Sequence, residues 1–245
     1  MEKNMQYYVK ISNEVMLKNV HRRKALTKDL VEKYLSSGKY NICIVASGSS
    51  LNAALTAEMF MNKYLGAKVT IISPTEYMYY RKALVKDDFI IVISQSGCST
   101  NIIEAVLDMK QDGIVPMALT GDMEGSLKRY VDTLIEYGVG NETVEYVTLG
   151  MITLVEYLIL FALEVSLSRK VISEGEYKKI VEDMILCCGA NKEAYDKSVV
   201  FTQKYYKELF QMDRAIIVAD GANMGIAREA SLKFGETLKN SCAVL

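Results

Sequence analysis

A single histidine, two prolines and no excess of either charge are the first features of this 245-residue chain. With His21 as the one imidazole, every metal site or catalytic triad that needs two histidines is excluded. Pro74 and Pro116 are isolated, and neither lies in a low-complexity stretch, which argues against a long disordered region. Lys plus Arg (29) nearly cancels Asp plus Glu (30). A general nucleic-acid surface needs a large basic excess, so that class drops out. The five cysteines (43, 98, 187, 188 and 242) are odd in number and lack CxxC spacing. They build neither a disulfide framework nor a zinc site, and they suit a reducing compartment. The stretch Met1–Gln6 lacks the apolar core of a signal peptide.

A membrane span is missing too. The most apolar stretch, Tyr146 to Leu163, is interrupted by Glu156 and flanked by Glu145 and Glu164, whereas a spanning helix wants about 20 apolar residues. It reads as a buried helix of a cytoplasmic protein.

Two helices are expected in residues 5–36, around Val9–Val20 and Leu26–Leu35, ended by Ser36-Ser37-Gly38. Short β-branched runs follow: Ile42–Val45, Val69–Ile72, Phe89–Ile93, Val115–Leu119 and Thr133–Ile135. They are continuously apolar instead of alternating, as strands buried on both faces of a parallel sheet are. Helical periods lie between them, with Leu51, Leu55 and Met59 in one and Ile102, Val106 and Met109 in another. This alternation predicts a doubly wound α/β domain. Ser173-Glu174-Gly175-Glu176 reads as a capping box opening a further helix, and helical sequence continues to about Phe210.

Ile44-Val45-Ala46-Ser47-Gly48-Ser49-Ser50 and Ile217-Val218-Ala219-Asp220-Gly221-Ala222-Asn223 share four identities in seven. Ala54 and Ala57 stand in register with Ala227 and Ala230. Two strand–glycine loop–helix units imply two tandem α/β domains. The expected organisation is N-terminal helices over 1–37, a first domain over 38–170, a helical connection over 171–214 and an incomplete second copy over 215–245. In that second copy the run from Ala215 to Ala219 is expected to lack partner strands, leaving a tail that is mobile, swapped into a neighbour or responsible for aggregation behind a stable unit of residues 1–170.

The loop Ser94-Gln95-Ser96-Gly97-Cys98-Ser99-Thr100 follows the third predicted strand and opens a helix. Parallel sheets deliver ligands to the carboxyl ends of their strands, and a helix N-terminus offers free N–H groups to an anion. Hydroxyls of Ser94, Ser96, Ser99 and Thr100 and the Gln95 amide add donors, beyond what capping requires. The nucleotide P-loop needs GK[ST] and a dinucleotide site needs GxGxxG, and neither occurs here. Hydroxyls without lysine or arginine suit a sugar phosphate. Gly48-Ser49-Ser50 follows the first strand in the same manner. Cys98 lies at the head of a helix without a histidine nearby in sequence, so catalysis by its thiol is not expected. Glu229, Lys233 and Glu236 share one helical face; spacing alone makes them a surface ion-pair ladder.

Three motifs in order carry a resemblance: Gly48-Ser49-Ser50, Ser94-Gln95-Ser96-Gly97, and Arg228-Glu229-Ala230-Ser231-Leu232-Lys233-Phe234-Gly235-Glu236. From about Asn41 onward the chain resembles the SIS (sugar isomerase) domain proteins. More narrowly, it resembles the isomerase half of glucosamine-6-phosphate synthase and the fructosamine-6-phosphate deglycases. The resemblance implies a three-layer αβα sandwich around a five-stranded parallel, flavodoxin-like sheet, followed by the beginning of a second copy, commonly in a homodimer. It implies that Ser49 and Ser50 contact the sugar or its phosphate and that Ser94, Gln95, Ser96 and Ser99 hold the phosphate. Glu236 matches the glutamate that moves a proton between C1 and C2, Lys233 the lysine one turn before it, and Thr148 a threonine that closes the sugar site. Neither cofactor nor metal is implied. The chain departs from the pattern at Cys98, where the synthase has Glu, and at Glu145-Tyr146-Val147-Thr148, where it has Val-Ala-Ser-Thr. No glutaminase segment precedes residue 1, and the ring-opening histidine expected after Leu245 is lacking. The reading therefore favours a phosphosugar isomerase or deglycase whose 245-residue chain is itself impaired, with a non-catalytic sugar-phosphate sensor as the alternative.

Overall fold

The computed structural model describes residues 3–140, 142–239 and 241–245; Met1 and Glu2 of the N-terminal stretch, with Asn141 and Asn240, lie outside them. Two helices lead, α1 (Met5–His21) and α2 (Arg23–Ser36). The sheet domain then runs β1 (Ile42–Val45), α3 (Gly48–Leu65), β2 (Val69–Ile72) and α4 (Pro74–Glu76). A π turn (Tyr77–Arg81), α5 (Lys82–Val85), β3 (Phe89–Ser94), α6 (Thr100–Gln111), β4 (Met117–Thr120) and β5 (Leu134–Glu136) complete it. Beyond come α7 (Leu149–Ser168), α8 (Glu174–Lys204), α9 (Tyr206–Phe210), β6 (Arg214–Ile217), α10 (Asn223–Lys233) and β7 (Ser241–Val244).

The five strands are all parallel in the order β2-β1-β3-β4-β5, with Ile42 opposite both Val69 and Phe89 and Ile91 opposite Met117. This is the expected flavodoxin-like sheet. Strand alternation divides its side chains between two cores. Ile42, Ile44, Ile91, Ile93 and Leu119 join α2, α3 and α7 on one face. Cys43, Val45, Ile90, Val92 and Ala118 join α6 and the α4–α5 segment on the other. Continuous apolar strands are therefore continuous because both faces are covered. Ala53, Ala54 and Ala57 on α3 are fully buried, and their small side chains let the apolar α7 lie against α3. By length and composition α7 could cross a membrane, yet most of it is buried in the fold, as the sequence reading expected.

Capping differs in detail from expectation. The Ser173 hydroxyl accepts from Glu176 N–H at the start of α8, which is half of a capping box. The reciprocal box is at Ser73 and Glu76, which the reading passed over: Glu76 N–H donates to Ser73 Oγ and Ser73 N–H to Glu76 Oε2.

The tail corrects the sequence expectation most. The run beginning at Ala215 does not stand alone: β6 pairs in parallel with β7, Ala215 opposite Cys242 and Ile217 opposite Val244. The partner was missed because Ser-Cys-Ala-Val is short and weakly apolar. Nor does this β-α-β unit trail away from the first domain, for α10 packs along α3. Gly225 makes that approach possible. A Cβ there would stand 2.3 Å from Thr56 Oγ1 and 2.6 Å from the Asn52 carbonyl oxygen.

Candidate functional site

A cleft of about 590 Å³ opens at the carboxyl ends of β1 and β3. In this strand order the chain reverses direction across the sheet between β1 and β3, and ligands of open α/β sheets enter at such a point. Ser47, Ser49 and Ser50 line it from the start of α3, and Gln95, Ser96 and Ser99 from the loop before α6. Gly121, Asp122, Glu142, Val144, Glu145 and Val147 complete its wall, and among the described residues no lysine or arginine lines it. Gly97 turns the loop with φ +64°, and a Cβ there would come within 3.0 Å of the Asp122 carbonyl. That close approach lets Leu127 N–H bond the Gly97 carbonyl at 2.7 Å and Gly121 N–H the Gln95 carbonyl at 2.9 Å, holding the loop rigid.

The hydrogen bonds decide which hydroxyls are available. Ser94 lies under the loop, 2% exposed; it donates to Ser99 Oγ at 2.9 Å and accepts from Ser99 N–H. It therefore orients Ser99 and does not itself line the cleft. Ser99, the residue preceding α6, makes no side-chain capping bond, and its oxygen already accepts from Ser94, so its own proton is left for the cleft. Ser96 accepts from Cys98 N–H at 3.2 Å and is likewise left with its proton. Free N–H groups at the start of α6 add to these donors.

Across the cleft the polarity reverses. Ser49 Oγ donates to Glu229 Oε1 at 2.9 Å and accepts from Lys233 Nζ at 3.3 Å. The lysine also meets Glu229 Oε1 at 3.3 Å and Glu236 Oε2 at 2.6 Å. Asn52 Nδ2 donates to Glu229 Oε2 at 2.9 Å. The spacing of Glu229, Lys233 and Glu236 on one face was legible, but the exposed ladder was not what formed: Glu229 is buried against α3. Glu236 faces an adjoining groove lined by Gly48, Asn52, Tyr146 and Lys239. Ser49, which lines the cleft, joins the two spaces.

Glu142 lines the cleft as well, and sequence reasoning missed it. Its carboxylate takes Thr148 N–H at 2.8 Å, Leu149 N–H at 2.7 Å and Gly150 N–H at 2.9 Å, capping the N-terminus of α7 from within the cleft wall. No local spacing signals a cap drawn from so far upstream. Beneath it Tyr137 is wholly buried; burial and the carboxylates of Glu142 and Glu136 push its phenol well above the usual range. Thr148 does stand at the head of α7, but its hydroxyl bonds the Tyr146 carbonyl at 3.0 Å and is not among the residues lining either space. Cys98 is exposed at the loop.

Residues 34–169 match the SIS domain family. The glutamine–fructose-6-phosphate aminotransferase (isomerizing) of Clostridium tetani is 23% identical over 90% of this chain, and that of Pyrobaculum aerophilum 28% identical over 80%. The chain spans 39% and 32% of the length of these two curated relatives. Among solved structures, a Clostridium difficile 630 protein proposed to be a phosphosugar isomerase superposes with a TM-score of 0.89 at 18% identity, covering 99% of this chain and 68% of that one. The C-terminal domain of the glucosamine-fructose-6-phosphate aminotransferase of Francisella tularensis gives 0.84 at 21% identity, covering 98% and 69%. With more than half its length matched, and with the sheet order and switch-point cleft already in place, the chain belongs to the SIS domain family.

Proposed function

We propose that the cleft binds a sugar phosphate, with the phosphate at the Ser96–Ser99 end and sugar hydroxyls toward Ser49. The observation that carries this reading is the pair of hydroxyl donors, unengaged among the described residues, at the N-terminus of α6 in a cleft that no described lysine or arginine lines. Fructose 6-phosphate in the names of the relatives agrees with it. Thermal shift with fructose 6-phosphate, glucose 6-phosphate and inorganic phosphate tests it. Stabilisation is expected in the parent chain and is lost in Ser96→Ala plus Ser99→Ala. Equal shifts with and without those hydroxyls overturn the assignment.

The chemistry proposed for the bound sugar is aldose–ketose isomerisation. Among the described residues Glu236 Oε1 has no hydrogen bond, so it is open to take the C1 proton of an open-chain ketose phosphate and return it at C2 through an enediol. The Lys233 ammonium beside it keeps positive charge next to the developing oxyanion. A deglycase would run the same proton transfer on a ketosamine phosphate and let water release the amine. Glu236→Gln is expected to lower turnover by about 10²-fold or more. A non-catalytic sensor is the second reading, favoured by the position of Glu236 on the adjoining groove instead of in the cleft. Saturable binding without turnover selects it. A homodimer is proposed for either reading.

A further inference from the structure

Glu229 has no part in the functional reading so far, yet it holds the junction between the two spaces. An ammonium has three protons and a hydroxyl has one proton and two lone pairs. Among the described residues Lys233 donates to Ser49 and Glu236 and pairs with the Glu229 carboxylate at 3.3 Å, so its ammonium is turned toward these three side chains. The one proton of Ser49 goes to Glu229 Oε1 and one of its lone pairs faces Lys233. What remains of Ser49 toward the cleft is a lone pair. Asn52 on Glu229 Oε2 and the close contact at Gly225 leave the carboxylate little freedom to move away.

We propose that Glu229 is a positioning residue that makes the Ser49 end of the cleft an acceptor. By taking the serine proton and sharing the Lys233 ammonium, it fixes Ser49 to receive a ligand hydroxyl and denies this end to a phosphate, whose oxygens need donors. The cleft thereby acquires a direction, donors at Ser96 and Ser99 and an acceptor at Ser49, and a sugar phosphate enters in one orientation. The inference rests on the sugar-phosphate reading above.

The test compares affinities for fructose 6-phosphate and inorganic phosphate by calorimetric titration of the full chain. Glu229→Leu keeps the bulk of the side chain and leaves Ser49 no acceptor there, so the serine is no longer held. Fructose 6-phosphate is expected to bind about tenfold more weakly, the loss of one well-oriented hydrogen bond, with inorganic phosphate unchanged. A merely structural role would weaken both ligands together, and that result overturns the proposal. In a Ser49→Ala background the Glu229→Leu change should have no further effect on the ratio; an additive effect also overturns it. Should Glu229→Leu fail to fold, Ser49→Ala alone must give the same selective loss. If the parent chain binds neither ligand, the sugar-phosphate reading itself fails and this one with it. If it binds both and the ratio survives Glu229→Leu, only the present inference fails.

Discussion

On α7, Glu156 is 5% exposed, and its Oε2 accepts from Asn19 Nδ2, which also donates to the Gly138 carbonyl. Burial pushes its pKa up to about 8, against the lowering influence of Asn19 and Arg22. The folded chain thus holds a proton that the unfolded chain releases near the ordinary glutamate pKa. Where the folded state binds more protons, stability falls as pH rises. The loss runs from about pH 4.5 to about pH 8 and is of the order of a few kcal/mol. Glu156→Gln keeps an acceptor for Asn19 and removes the charge. Urea denaturation should find it equal to the parent near pH 4.5 and more stable at pH 8 and above. Parallel pH–stability curves would show that Glu156 does not titrate across folding. In the sequence this residue was legible only as a charge in an apolar run; its partner Asn19 lies on a helix 137 positions away.

Elements meet through contacts that substitutions can address one at a time. Thr148 N–H and the first two N–H groups of α7 end on Glu142, so Glu142→Ala leaves them without that acceptor in a half-buried wall. The expected cost is about 1–2 kcal/mol by chemical denaturation. No change in the denaturation midpoint would mean that the cap contributes nothing. Gly225→Ala places a methyl against Thr56 and the α3 backbone, with an expected overpacking penalty of about 1–3 kcal/mol. Hydrogen exchange should accelerate in α10, β6 and β7 while β1 and β3 keep their protection; uniform acceleration would instead make the tail part of one cooperative unit with the sheet. The Ser94–Thr100 loop was readable in the sequence because strand, glycine and helix start are neighbours there. Glu142 was not readable as a cap because no local spacing marks it, and Glu229 was legible in its spacing but not in its partner, since only folding brings α10 to Ser49.

At the scale of the molecule, the two sheets are covered unequally. In the first, β1 and β3 are buried throughout. In the second, Ser231 on α10 donates to the Cys242 carbonyl on the β7 strand, while Ile216, Val218 and Leu245 are exposed. Among the described residues this two-stranded parallel sheet turns an apolar face toward water, and such a face favours pairing with another copy. Sedimentation velocity should show concentration-dependent self-association, reduced by Ile216→Lys plus Val218→Lys. A parent chain monomeric at every concentration would remove this face from consideration as a contact.

Local chemistry determined a great deal by itself. Apolar β-branched runs can be satisfied only between two layers, and a hydroxyl-rich turn before a helix favours an anion. The sheet domain, the buried α7 and the hydroxyl-rich loop that opens α6 therefore followed from the residues alone. The tertiary structure decided what depends on distance. It paired β6 with a strand too short and weakly apolar to announce itself, and it turned Ser94 under the loop. It drew Glu229 off the surface to Ser49, 180 residues away. A hydrogen bond has a direction and a reach of about 3 Å. Which serine presents a proton and which a lone pair is therefore set only when the chain has brought their partners together.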